Sequence, residues 1–239
     1  MAVVTREIEY QHRDVVFEGT LAVDNATEKK RPVVLVSHAW GGRDDFAIQK
    51  ARELAKLGYV GFALDLFGKG RQGTNKDENR ALMTPLLEDR LLLQARMETA
   101  VEVASSQAES DASKVGAIGY CFGGLCVLDL ARTGSKVAAV VSFHGLFTPP
   151  SNTSGRKIHS KVLVLHGYDD PMATPDAMVT LATELTEAQA DWQIHAYGST
   201  VHAFTNPAAA DPEFGTVYSA EADKRSWRAM TDFLKDSFS

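Results

Sequence analysis

The sequence predicts an α/β fold: a mostly parallel sheet flanked by helices, with an antiparallel strand pair at its N-terminal edge, in a single domain over 1–239. Three observations predict it. Short apolar runs rich in β-branched residues alternate with longer segments whose apolar positions recur at helical spacing. A chain of 239 residues can bury about 70% of its extended surface, enough for one substantial core. The connections are short, and no repeat or Pro/Gly-rich linker marks a boundary.

The elements follow in order. Residues 3–10 and 15–23 alternate in part around Gln11-His12-Arg13-Asp14 and predict the antiparallel pair. Val33-Val34-Leu35-Val36 leads into Ser37-His38, a run that fits a strand covered on both faces. Gly41, Gly42, Asp44 and Asp45 then punctuate the chain before a helix over 45–57. Its stripe is Ile48, Ala51, Leu54, Ala55 and Leu57, and Gly58 stops it. Further strands are expected at 59–64, 114–118, 137–142, 162–166 and 192–197. Helices are expected at 86–108, 122–132, 175–188 and 218–236. Residues 68–80 and 149–157 read as polar, glycine-rich loops, and whether 68–84 closes as a lid stays open.

Composition narrows the function classes. Lys+Arg 25 against Asp+Glu 31 gives a net charge of −6, which weighs against a nucleic-acid surface. No window reads as a membrane span. The N-terminal MAVVTREIEYQHRD lacks the apolar run of a signal peptide, so a cytoplasmic protein with reduced thiols is expected. Two cysteines, Cys121 and Cys126, exclude a disulfide framework and a four-cysteine metal cage. The histidines offer no short-spaced ligand pair, so neither metal nor cofactor is expected.

The sharpest motif is Gly119-Tyr120-Cys121-Phe122-Gly123-Gly124, placed between an expected strand and an expected helix. Small residues two before and two after a nucleophile let the chain turn tightly around it, and the helix start offers N–H groups to an anion. The plainer reading is close helix–strand packing around a small buried cysteine. The glycines do not keep the spacing of a dinucleotide-binding loop. Further on come His166-Gly167-Tyr168-Asp169-Asp170-Pro171 and Gly198-Ser199-Thr200-Val201-His202-Ala203-Phe204, each after an expected strand. The resulting order of nucleophile, acid and histidine is that of a hydrolytic triad carried on sheet-end loops.

With VVLVSHAWGG (33–42), GYVGFALDLFGKG (58–70), KVGAIGYCFGG (114–124), VLVLHGYDDPMATPD (162–176) and VHAF (201–204), the chain resembles the dienelactone hydrolase family of α/β-hydrolases over nearly its whole length. The resemblance implies an α/β-hydrolase fold and a triad of Cys121, Asp170 and His202. Asp170 is favoured over Asp169 because it lies three residues after Gly167 and just before Pro171. Oxyanion donors are expected at the N–H groups of Phe122 and Ala39. His38, Trp40, His144, Phe204 and Asn206 are candidate pocket residues; Trp40 and Phe122 also read as core aromatics. His166 and His195 read as strand residues satisfied locally, and Cys126 as core.

Two positions depart from the family pattern. His38 stands where dienelactone hydrolases carry a glutamate near the resting thiol, so it either supports the Ala39 loop or touches substrate. Asn206 stands where an arginine four residues past the triad histidine would hold a substrate carboxylate. Arg71, Arg80, Arg90 and Arg96 are the other cations on offer. The expected reaction is hydrolysis of a small-molecule ester or lactone through a thioester acyl-enzyme, with an enol-lactone among the substrates. A broad carboxylesterase or thioesterase, or a non-catalytic relative that binds a small ligand, are the alternatives. No nucleic-acid or membrane partner is expected, and monomer and homodimer are not distinguished.

Overall fold

The computed structural model describes residues 2–26 and 28–239. They divide into two compact units, one ending at Ile118 and the other Gly119–Ser239.

In the first unit, β1 (Val3–His12) and β2 (Val15–Asp24) form the antiparallel pair, in register from Val3↔Asp24 to His12↔Val15. β2 runs antiparallel to β4 (Val60–Ala63), which is parallel to β3 (Arg31–Ser37). β5 (Ser110–Tyr120) joins beyond β3, giving the order β1-β2-β4-β3-β5. β3 is buried at nearly every position, as its unbroken apolar run requires. Helix α1 (Asp45–Lys56) starts where the Asp44 carboxylate accepts the Ala47 N–H. Of the expected stripe it buries Ala51, Leu54 and Ala55, with Ala47 beside them; Ile48 is half-buried, and Leu57 is an exposed C-cap.

The glycine-rich stretch after β4 is shorter than its composition suggests. Residues 68–75 form a loop, but Lys76–Glu88 is a helix, α2, where loop is expected through 80. Asn75 caps it by accepting the Asp77 and Glu78 N–H groups. The expected helix over 86–108 is α3 (Arg90–Ser105), separated from α2 at Asp89. That residue ends one helix, and its carboxylate accepts the Leu92 N–H to start the next. Polar first turns and Pro85 hide α2 from a periodicity reading.

The second unit carries α4 (Phe122–Arg132), β6 (Ala139–Phe143), β7 (Lys161–Gly167), α5 (Pro175–Glu187), β8 (Trp192–Tyr197) and α6 (Ala220–Ser237). β6, β7 and β8 are parallel neighbours, with Phe143 opposite Leu165 and Gly167 opposite Tyr197. Their carboxyl ends therefore lie level, and the loops that follow are laced together by backbone bonds. Cys121 N–H donates to Phe143 O at 3.0 Å, His144 N–H to Leu165 O at 2.9 Å, and Asp169 N–H to Thr200 O at 3.0 Å. A two-strand ribbon, β9 (Ala210–Asp211) and β10 (Thr216–Val217), lies beyond the reach of pattern reading. Among the described residues, no helix is long and apolar enough to cross a membrane.

Candidate active site

Cys121 sits between β5 and α4 with φ +56° and ψ −114°, outside the regions that L-residues favour. The glycines around it are required by contact. A Cβ on Gly119 would lie 2.0 Å from Gly123 O, and one on Gly124 would lie 2.7 Å from both Gly145 Cα and Ser142 Oγ. The turn is thus packed too closely for any side chain at those positions, and strained at the one residue that bears a thiol. The Cys121 carbonyl accepts the Gly124 and Leu125 N–H groups, while its side chain stays half-buried.

The acid and the histidine come from the next two sheet-end loops. Asp170 and His202 are each 1% exposed, and His202 Nδ1–H donates to Asp170 Oδ2 at 2.7 Å. The other carboxylate oxygen accepts the Met172 N–H at 2.8 Å, so both oxygens of Asp170 are held. Asp169, by contrast, is exposed. The ribbon fixes the histidine loop. His202 N–H donates to Gly215 O at 3.0 Å, and its carbonyl accepts the Val217 N–H at 3.2 Å.

With Nδ1 committed to Asp170, Nε2 of His202 is buried and has no hydrogen-bond partner of good geometry. Burial works against a charge on this ring. The charge of Cys121, the Asp170 hydrogen bond and the contact with the Cys121 sulfur outweigh it, and the pKa rises to about 10. Thiol and carboxylate therefore both act on the one imidazole between them. Cys121, Asp170 and His202, expected from three separate motifs, are brought together by the structure.

The other expected residues divide. Phe122 is fully buried at the first position of α4. Ala39, in the first unit, is half-exposed, and its carbonyl accepts both the ring N–H of His38, at 2.6 Å, and the Gly42 N–H. His38 in turn accepts the Leu66 N–H at Nε2, at 3.1 Å, and stands edge-on to Phe67. Burial holds its pKa below the usual histidine range, so the neutral ring ties the loop after β3 to the loop after β4. Trp40 beside it is half-exposed.

Phe204 is fully buried between His144 and Tyr197, 5.1 and 5.6 Å away between ring centroids. Asn206 turns its side-chain carbonyl back to the Ala208 N–H at 3.0 Å. His166 is buried against Phe147; neither ring nitrogen has a hydrogen-bond partner of good geometry, and the Ala173 backbone is a polar group that acts on the ring. His195 lies half-exposed on β8, in a cleft that also carries Lys161, Arg225 and Arg228. His144 is buried, with both ring nitrogens engaged by protein groups. Sequence reasoning missed Thr205, which receives one of those contacts; nothing in VHAFTN singles it out.

Comparison with known proteins agrees with this architecture. Residues 17–238 match the dienelactone hydrolase family. The solved structure named m3DLH is 36% identical with a TM-score of 0.95, each chain covered completely. A dienelactone hydrolase-like promiscuous phosphotriesterase from metagenomic libraries is 35% identical at a TM-score of 0.94, again over both whole chains. A carboxymethylenebutenolidase of a Pseudomonas species is 27% identical over 82% of each chain. The match over nearly the full length and the α/β-hydrolase architecture lead to one assignment: the chain belongs to the dienelactone hydrolase family and is a carboxylic ester hydrolase.

Proposed function

We propose that the chain cleaves a small-molecule ester or lactone through a thioester on Cys121, with His202 as proton carrier and Asp170 orienting it. The observation that carries this reading is the Asp170–His202 bond of 2.7 Å, which leaves the opposite ring nitrogen unengaged and under the influence of the Cys121 sulfur.

In the first step the Cys121 thiol gives its proton to Nε2 of His202, its sulfur bonds to the carbonyl carbon, and the carbonyl electron pair moves onto the oxygen. The N–H of Phe122, at the start of α4, is assigned to that oxyanion. One such donor is worth roughly 3 kcal/mol in the transition state. Collapse breaks the bond to the leaving oxygen, which takes the His202 proton; in a lactone that oxygen stays tethered. Water then attacks the thioester, gives its proton to His202, and the Cys121 sulfur leaves. A thiolate leaves readily, which suits activated esters and lactones better than amides.

Asn206 is turned into its own loop, so no carboxylate clamp is assigned there, and neutral esters and lactones are the favoured substrates. The similarity to a promiscuous phosphotriesterase supports a second reading, in which the same sulfur attacks the phosphorus of an activated triester. The chemistry requires a free thiol, which favours a reducing compartment such as the cytoplasm. The family match runs across the boundary between the two units, and 1–239 is read as one α/β-hydrolase domain.

The test is a panel of enol-lactones, short aryl esters and an aryl phosphotriester, assayed with wild type and Cys121→Ala. Hydrolysis should disappear in a variant with an unchanged circular dichroism spectrum and unfolding midpoint. A folded alanine variant that still turns over would end the covalent scheme.

A further inference from the structure

His144 has no part in the proposed chemistry, yet its contacts fall on that machinery. It is 2% exposed and follows β6 with φ +37°, a left-handed backbone where histidine, asparagine and aspartate are enriched. Its Nδ1 accepts the Cys121 N–H at 3.2 Å, a proton shared with Phe143 O. With Nδ1 accepting, the neutral ring carries its proton on Nε2, which donates to Thr205 Oγ1 at 2.8 Å. Thr205 is 1% exposed and lies three residues past His202 on the same loop. The ring also stands edge-on to His202, with centroids 5.1 Å apart at 66°.

We propose that His144 is a positioning residue: one imidazole joins the strained cysteine turn to the loop bearing His202, and so sets how the sulfur meets the ring that serves it. This rests on the roles given above to Cys121 and His202. Two strained residues, at φ +56° and +37°, face each other across neighbouring strand ends and share a hydrogen bond. Strain of that kind persists only where surrounding contacts over-determine it. An apolar ring of similar size would fill the space but would leave the Thr205 hydroxyl without its donor and the cysteine turn with one acceptor fewer.

The neutral tautomer is built in. The titratable groups facing His144 are Tyr120 and Cys121 at the end of β5, His166 on β7 and His202 on its loop; none is a carboxylate. Burial and the charge of His202 together hold the pKa of His144 well below the usual range. A second proton on this ring would break the bond from Cys121 N–H and repel the imidazolium beside it.

The experiment compares wild type with Thr205→Val, Thr205→Ser and His144→Phe. It follows steady-state hydrolysis of an aryl ester and the pH dependence of Cys121 alkylation by iodoacetamide. The valine and phenylalanine variants should lose about 10- to 100-fold in kcat, with KM within about threefold, because misplacement near the chemistry acts on the transition state. Their alkylation midpoint should move, while Thr205→Ser keeps the wild-type profile. A packing role alone would lower the melting temperature without moving that midpoint. If His144→Phe fails to fold, Thr205→Val carries the test alone. A folded Thr205→Val with unchanged kcat and unchanged alkylation midpoint would overturn the positioning role. Absence of selective Cys121 labelling in wild type would overturn the triad assignment itself, and this role with it.

Discussion

His38 and His202 are both 1% exposed, both follow a strand of the fold, and they lie in different units. His38 gives both nitrogens to the backbone, one to Ala39 O and one to the Leu66 N–H. His202 gives one to Asp170 and keeps the other unengaged. Burial is the largest influence on both rings, yet it prevails only at His38, whose pKa falls. At His202 a carboxylate and the cysteine sulfur reverse the outcome. Burial alone therefore does not make a histidine structural or reactive. What separates the two is whether a nitrogen remains for something other than the protein, and whether a fixed negative group stabilises the proton it would take.

The largest effect should come from removing what makes His202 different. Asp170→Asn keeps the shape and removes the charge, and should lower kcat by about 10⁴-fold, the cost of presenting the wrong imidazole tautomer. Steady-state kinetics on an aryl ester would measure it. A loss of less than tenfold would mean that Asp170 does not orient the base. His38→Leu should act mainly on folding. Losing the bond to the buried Leu66 N–H costs about 1–3 kcal/mol, read by urea unfolding, with kcat within about tenfold of wild type.

The same variant has a pH signature. The folded pKa of His38 is depressed, so its contribution is present above about pH 6.5 and is lost as pH falls toward the folded value. His38→Leu should accordingly be less sensitive to acid than wild type. The smallest effect belongs to Asp169→Asn. This exposed neighbour of the triad acid should change stability by less than about 0.5 kcal/mol and leave kcat unaltered.

The extent to which the sequence reveals these features follows the range of the interactions involved. α4 and β8 fall where local patterning places them, because a mostly apolar stretch after the glycine turn defines the first and an apolar–polar alternation the second. α2 does not, since it opens Lys-Asp-Glu-Asn-Arg and its C-terminal part contains Pro85. The proposed triad is legible because its three members sit in glycine-bearing motifs at strand ends. The ribbon that clamps His202 is not, since two-residue strands carry no periodicity. The bond that engages the second ring nitrogen of His38 comes from the Leu66 N–H, a contact 28 residues away in sequence. Phe204, offered by sequence as a pocket residue, is buried among aromatic rings, and Asn206 closes its own turn. Side-chain direction in these loops is set by tertiary packing, which composition does not encode.

The most direct test of the central claim is the intact mass of enzyme quenched within milliseconds of mixing with an activated aryl ester, followed by peptide mapping. The account predicts a gain of one acyl group on the peptide containing Cys121, formed during the burst and gone once substrate is exhausted. An acyl group on any other residue, or turnover with no adduct in wild type and full activity in Cys121→Ala, would contradict it.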